Sequence, residues 1–256
     1  MLLDGLEIIL VKTRFPENIG MAARACANMG CPMLRLVQPE RWNKKKAVPL
    51  ATPKGLEILD RVTEHAELTA AVSQSSLVIG TTARVGGWRK ALLAPHAAAQ
   101  AVAATLQRGE HAALVFGPED RGLSNEDITH CQQLVTIPTD AGAHSLNLAQ
   151  AVLLMAYECA NAVRRMTTTP VPKGQLHNSP EKKSLLPNGR RVTAAEQERL
   201  MLEIRDMLLR LDCLHGDNPD YFLQPWRRFF GRAGLLRHEY DALMGLCRQV
   251  RNKLDR

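Results

Sequence analysis

Four short segments of this 256-residue chain place polar or charged side chains beside glycine or proline, directly after an apolar run. They are Asn18-x-Gly20-x3-Arg24, Gly80-Thr-Thr-Ala-Arg84, Phe116-Gly-Pro-Glu119-x-x-Gly122-Leu123 and Ile137-Pro138…Ser145-Leu-Asn147-Leu148. Glycine lets a backbone turn sharply and approach a ligand closely, and arginine binds phosphate or polarises a hydroxyl group. Because each segment alone is also typical of a capped helix or a charged turn, only the set points to a functional site.

Single residues in these segments have both a structural and a functional explanation. Arg24 lies about one and a half turns into an Ala- and Met-rich helix, where it either faces solvent or holds a phosphate. Asn18 is expected to cap the start of that helix. Ser145 or Asn147 is expected to cap a long apolar helix that follows.

The elements around these segments alternate between short apolar runs and helical patterns over roughly the first 165 residues. The expected strands are Glu7–Val11, Met33–Val37, Leu77–Gly80, Ala112–Phe116 and Leu134–Ile137. The expected helices are Ile19–Met29, Leu56–Ala71, Pro95–Leu106, Asn125–Cys131 and Leu146–Arg165. This alternation predicts an α/β fold with a mostly parallel, doubly wound sheet, in which ligands bind beyond the carboxyl ends of the strands.

A proline-rich stretch without periodicity predicts a linker to a second, all-helical region. The expected boundaries are 1–166 for the first domain, 167–192 for the linker and 193–256 for the helical C-terminal extension. Thr193 and Glu196 form a capping-box pattern at the start of the extension, and the helix that follows has one apolar face. Two further helices are expected, around Gln224–Phe230 and Leu236–Leu254.

Composition limits the class of protein. The 33 Lys and Arg against 26 Asp and Glu give a net charge of +7, which fits a polyanionic partner without identifying one. From Lys173 onward, 16 basic and 11 acidic residues give +5, and the first 172 residues, with 17 and 15, give +2. No apolar run is long enough to span a membrane, and the missing dinucleotide glycine fingerprint disfavours a nicotinamide oxidoreductase. Because the six cysteines lack metal-binding spacing, we expect reduced thiols, no metal and a cytoplasmic protein.

With all four segments in this order, the sequence resembles the SPOUT superfamily of knotted RNA methyltransferases, in its SpoU/TrmH branch. It is most similar to the TrmJ-type tRNA (cytidine/uridine-2′-O-)-methyltransferases, which share the Gly-Thr-x-Ala-Arg loop and a helical extension. The resemblance covers about residues 5–165 and beyond residue 170 rests on layout alone. It implies a C-terminal trefoil knot in the α/β domain, a homodimer, and methyl transfer from S-adenosylmethionine to a ribose 2′-hydroxyl. The implied target is the first nucleotide of the tRNA anticodon loop.

The resemblance also assigns a role to each motif residue by position. The cofactor-binding residues that it implies are Thr81, Thr82, Ala83, Gly117, Ile137, His144, Ser145 and Leu146. The supporting and RNA-binding residues are Asn18, Glu119 and Asn147, which hold the loops, and Arg84, which contacts RNA. Arg24 acts at the target ribose and Ser145 lies beside the path of the methyl group. Because a guanidinium keeps its proton, we expect Arg24 to orient the substrate and stabilise charge, and the family's base role for it stays open.

One loop departs from the family pattern. TrmJ-type relatives place Asn-Pro and a Tyr before Ser-Leu-Asn-Leu, whereas residues 139–144 here read Thr-Asp-Ala-Gly-Ala-His. The departure leaves the target nucleotide and the base preference open. Two alternatives stand beside the main hypothesis: methylation of ribosomal RNA or another tRNA position, and a non-catalytic RNA-binding protein on the same fold.

Overall fold

A computed structural model of the chain describes residues 1–86, 91–140, 142, 145–168, 189–214 and 219–255. The chain divides into two compact units, Met1–Thr168 and Thr169–Arg256. Most of the expected linker, 167–192, lies outside the described residues. No described helix combines the length and the apolar character needed to cross a membrane.

The first unit is a six-stranded sheet with helices around it. Its strands are β1 Leu6–Val11, β2 Met33–Val37, β3 Thr63–His65, β4 Leu77–Thr81, β5 Ala112–Phe116 and β6 Gln133–Val135. Its helices are α1 Pro16–Met29, α2 Lys44–Ala47, α3 Pro53–Asp60, α4 Leu68–Ala71, α5 Pro95–Gln107, α6 Asn125–Thr129 and α7 Leu148–Thr168, with a 3₁₀ turn at Val48–Leu50. The strand order is β3-β2-β1-β5-β4-β6, and each of these neighbouring pairs is parallel. The predicted parallel α/β fold is confirmed, and the trefoil knot stays a prediction.

The central strand β1 is buried along its whole length, as a sheet covered on both faces requires. Leu6, Ile8 and Leu10 belong to the main apolar core, which α1, α3, α5 and α7 help to form. Glu7 points to the other face, where it forms an ion pair of 2.7 Å with the guanidinium of Arg35. Burial raises the pKa of Glu7, and the charge of Arg35 opposes that rise.

The predicted helix Leu56–Ala71 is wrong. The structure has α3 ending at Asp60, then the short strand β3, then a single helical turn in α4. β3 pairs only with β2 at the edge of the sheet, and its three residues are exposed or half-buried, so none of them needs an apolar side chain. An edge strand of three polar residues leaves almost no periodic signal.

The second unit contains three helices, α8 Ala194–Arg210, α9 Pro219–Ala233 and α10 Arg237–Leu254. The predicted capping box is confirmed: the Thr193 hydroxyl accepts from the backbone N–H of Glu196, and the Glu196 carboxylate accepts from that of Thr193. Buried residues of all three helices form a core of their own, among them Leu200, Phe230 and Tyr240. The helix expected at Gln224–Phe230 is longer than predicted, because α9 continues through Pro225.

Candidate functional site

The order of the strands reverses beside β1. The chain runs outward from β1 through β2 to β3 and then crosses to β4 on the other side, with β5 between β4 and β1. In such sheets a crevice opens at the reversal, beyond the carboxyl ends of the strands. The segments that begin at Gly80, Phe116 and Ile137 lie at the ends of β4, β5 and β6 and in the loops that follow them, and the segment Asn18–Arg24 lies in α1, which follows β1.

A cavity of about 480 Å³, here called the first cavity, lies among the loops that follow β4, β5 and β6. Its volume lies within the range of about 300–1,000 Å³ that small-molecule sites occupy. Seven of the residues assigned to cofactor binding line it, namely Thr81, Thr82, Ala83, Gly117, Ile137, Ser145 and Leu146. The eighth, His144, lies outside the described residues.

The polar side chains after β4 already hold the cavity wall together. The Thr81 hydroxyl donates to the carbonyl of Val115 at 3.1 Å, and the Thr82 hydroxyl accepts from the N–H of Arg84 at 3.1 Å. The Arg84 guanidinium donates to the carbonyl of Leu123 at 2.7 Å, which ties this loop to the one after β5. A ligand here would therefore meet backbone groups more than free hydroxyls.

The loop after β5 folds back on itself at Gly117. A Cβ atom at this position would lie 2.2 Å from the backbone nitrogen of Leu123 and 2.3 Å from the carbonyl carbon of Gly122. Gly122 itself has a φ of +61°, a conformation that favours glycine. The two glycines of the Phe116–Leu123 segment therefore make the tight turn that forms one wall of the first cavity.

A second cavity of about 450 Å³ opens on the side of α1. Its lining residues are Phe15, Glu17, Asn18, Glu119, Ser145, Leu146 and Asn147. Glu119, Ser145 and Leu146 line both cavities, so molecules bound in the two would meet at these residues. Ser145 is exposed, and its hydroxyl makes no hydrogen bond within the described part of the chain, which leaves it available to a ligand.

Three residues expected to hold the loops form one hydrogen-bonded chain. The Asn18 amide donates to Glu119 Oε1 at 2.7 Å, and the Asn147 amide donates to Asn18 Oδ1 at 3.0 Å. Asn147 Oδ1 also accepts from the backbone N–H groups of Ala149 and Gln150 and so caps α7. The expected cap role of Asn18 is wrong: Phe15 is the N-cap of α1 and Asn18 lies in its first turn. Its side chain is buried and serves the loops instead.

Arg14 contacts the loop that carries Glu119 and has no signal in the sequence. Its backbone N–H donates to Glu119 Oε2 at 3.1 Å, and its guanidinium lies 2.9 Å from Asp120 and 3.4 Å from Glu40. Arg121 pairs with the same Glu40 at 3.2 Å. Because Glu119 and Asp120 lie more than 100 residues after Arg14 in the chain, no local pattern could have identified these contacts.

Arg24 lines neither cavity. It is exposed on α1, and within the described residues no hydrogen bond or ion pair holds its guanidinium. Its backbone packs closely on α3, because a Cβ at Gly55 would lie 3.2 Å from the Cα of Arg24. The structure therefore brings Ser145 to both cavities and leaves Arg24 apart from them. Among the described residues no cluster of His, Cys, Asp and Glu has a metal-binding arrangement.

Comparison with known proteins agrees with this geometry. The SpoU rRNA Methylase family matches residues 5–157. A Pseudomonas aeruginosa protein named tRNA (cytidine/uridine/adenosine-2′-O-)-methyltransferase TrmJ is 35% identical over 249 residues, which are 97% of this chain and 95% of the relative. A tRNA (cytidine/uridine-2′-O-)-methyltransferase TrmJ from Pectobacterium atrosepticum is 30% identical over 99% of this chain and 100% of its own.

A solved structure agrees as well. The crystal structure of TrmJ from Z. mobilis matches with a TM-score of 0.76 at 28% identity, covering 96% of this chain and 98% of that one. The resemblance stated from the motifs is thus confirmed over nearly the full length, and the chain belongs to the SpoU rRNA methylase family.

Proposed function

We propose that the protein is a cytoplasmic, S-adenosylmethionine-dependent tRNA 2′-O-ribose methyltransferase that acts at the first nucleotide of the anticodon loop. The observation that carries this proposal is the meeting of the two cavities at Ser145. A methyl donor in one cavity and a ribose in the other would come together at that residue. The names of the full-length relatives support tRNA over ribosomal RNA as the substrate.

S-adenosylmethionine fits the first cavity by size and by lining. Small residues and backbone groups at Ala83 and Gly117, together with the apolar side chains of Ile137 and Leu146, would hold it there. When bound there, the cofactor supplies an activated methyl group to an incoming oxygen. We expect calorimetry to detect its binding to the protein without RNA.

The residues of the chain position the reacting hydroxyl. The in-line approach of an oxygen to a methyl group is sensitive to small displacements, so positioning supplies most of the acceleration. Ser145 has a free hydroxyl at the junction of the cavities and would orient the ribose. The Glu119–Asn18–Asn147 chain of hydrogen bonds holds the loop after β5 and the loop before α7 to the first turn of α1.

A homodimer is the second part of the proposal. Leu153, Leu154 and Tyr157 of α7 are 39%, 42% and 49% exposed and form an apolar patch on the longest helix of the first unit. A patch of this kind favours burial against another chain. Since Arg24 does not line the cavities of its own chain, a second copy could bring its own Arg24 to the ribose.

The decisive experiment is a methylation assay. We expect the purified protein, labelled S-adenosylmethionine and transcribed tRNA to give 2′-O-methyl nucleosides that mass spectrometry locates at one position. If the protein methylates only ribosomal RNA, ribosomal RNA replaces tRNA as the proposed substrate. Cofactor binding without product on any RNA would favour the non-catalytic RNA-binding protein.

Subunit mixing tests the role of Arg24. Arg24→Ala and Ser145→Ala should each abolish methylation, and Arg24→Ala should leave cofactor affinity within about twofold, because the residue lies off the first cavity. If Arg24 acts across the dimer, co-expressing the two variants restores one working site in each mixed dimer, about a quarter of wild-type activity. No recovery would show that Arg24 acts within its own chain.

A further inference from the structure

Phe15 is an exposed aromatic residue at the second cavity. Its side chain is 48% exposed, whereas its neighbours Pro16 and Asn18 are buried. Phe15 precedes the first turn of α1 and its side chain takes no part in capping it. Single exposed apolar residues are common on protein surfaces, but this one lines a cavity whose other lining residues, except Glu17, belong to the motif segments.

The position of the ribose determines what would lie against Phe15. The proposed reaction brings a ribose hydroxyl to Ser145, at the junction of the cavities. The base attached to that ribose must then lie in the remaining part of the second cavity, on the side of Phe15 and Glu17. Anticodon-loop bases are unpaired, so a single base can leave its stack and enter a protein site.

We propose that Phe15 stacks on the base of the nucleotide whose ribose is methylated, which rests on the proposed function. Phe15 is the aromatic residue among the described residues that line this cavity. An aromatic ring offers a flat surface to every base, so it positions the nucleotide without choosing between bases. Phe15 is therefore a positioning residue for RNA and not for the methyl donor, since it does not line the first cavity.

Glu17 gives the same subsite a preference among bases. Its side chain lines the second cavity, is half-buried, and has no hydrogen-bond partner within the described part of the chain. A carboxylate accepts a hydrogen bond from the exocyclic amino group of cytosine or adenine, whereas uracil carries a carbonyl oxygen there. The subsite would therefore favour cytidine and adenosine over uridine.

The test uses the full-length protein and two tRNA transcripts that differ only in C or U at the methylated position. At saturating cofactor, Phe15→Ala and Phe15→Leu should both raise KM for tRNA by about 5- to 140-fold, the loss expected from one base–aromatic stack. Phe15→Tyr keeps the ring and should stay within about threefold of wild type. Cofactor affinity and dimer size should not change in any of the three.

Glu17→Gln tests the preference with the same two transcripts. Glutamine keeps the shape of the side chain but can also donate to a carbonyl, so the C-over-U ratio of kcat/KM should fall at least fivefold. An unchanged ratio would remove Glu17 from the subsite.

Three results would overturn the stacking proposal. The first is an unchanged KM for tRNA in Phe15→Ala, and the second is a Phe15→Leu enzyme with the KM of wild type. The third is a rise in KM that occurs only because the variant dimer dissociates. Each of them presupposes a wild-type enzyme that methylates tRNA. If wild type methylates no tRNA, the proposed function itself fails, and the two failures are thereby distinguished.

Discussion

Asn18 joins two of the loops that form the site. It is buried, and its amide contacts a carboxylate from the loop after β5 and an amide from the loop before α7. Buried polar groups are costly when they lose their partners, so these contacts fix the loops more strongly than exposed ion pairs do. The outer pairs of Arg14 with Asp120 and Glu40 are half-exposed and add less.

Asn18→Ala should lower the free energy of unfolding by about 1–3 kcal/mol, because Glu119 and Asn147 each lose a buried hydrogen-bond partner. It should also weaken cofactor binding, since both loops line the first cavity. Urea denaturation and calorimetry measure the two effects. Asn28→Ala, an exposed change on the same helix, is the matched control and should cost less than about 0.5 kcal/mol. Equal effects of both changes would contradict the role given to Asn18.

The sequence predicted elements where one physical signal dominates. The buried strands are mostly apolar on both faces, and the predicted ends lie within two residues of the observed ones. For β2 and β5 the predicted and observed ends are the same. The edge strand β3 was missed because it is short, polar and paired on one side only. The contacts of Arg14 with Glu119 and Asp120 were missed because they depend on where distant loops meet in the folded chain. The start of α1 was missed although Pro16, its first residue, is a local signal of a helix N-terminus.

The start of α8 provides a pH-dependent contact at the scale of one element. The Arg190 guanidinium, 2.8 Å from the Glu196 carboxylate, lowers the pKa of Glu196 to about 2, with smaller contributions from the Thr193 N–H and from Arg237. A carboxyl with a lowered pKa in the folded state stabilises the fold above its unfolded pKa of about 4.5. That stabilisation is lost as the pH falls from about 4.5 towards 2.

Glu196→Gln should therefore destabilise the second unit by about 1–2 kcal/mol at pH 7, a figure reduced for partial solvent screening. Glutamine still completes a capping box, so the change removes mainly the charge. The difference from wild type should shrink below pH 4.5 and vanish near pH 2. Hydrogen exchange of the α8 amides in wild type and variant, compared at the same pH, measures this difference in stability. Glu57→Gln, exposed on α3, is the control, and a difference that persists at low pH would contradict the ion pair.

At the scale of the whole molecule, part of the net positive charge is not free to bind RNA, because several arginines already pair with carboxylates of the chain. Arg210 pairs with Asp206 and Asp255, and Arg251 pairs with Glu203. Four exposed cations of the second unit have no ion pair or hydrogen bond within the described part of the chain, namely Arg199, Arg232, Arg248 and Lys253. We expect these four side chains to bind RNA phosphates, because a cation without a carboxylate partner does not have to break an ion pair to bind a phosphate.

Replacing Arg232 and Arg248 together by Gln should weaken tRNA binding and reduce the slope of log Kd against log salt by about 1 to 2. The double variant Arg210→Gln with Arg251→Gln removes the same net charge from paired positions and should leave the slope nearly unchanged. Filter binding from low to high salt measures both. Equal slopes for the two double variants would mean that only net charge matters.

The stretch Ser145–Leu146 is a wall of both cavities, and Asn147 next to it anchors that wall to α1. A ligand in one cavity that orders Ser145 and Leu146 therefore also orders a wall of the other cavity. The two binding events are then thermodynamically linked: the cofactor should tighten RNA binding by some factor, and RNA should tighten cofactor binding by the same factor. Measuring both affinities with a non-reactive cofactor analogue tests this reciprocity, and Asn18→Ala should reduce the factor towards one.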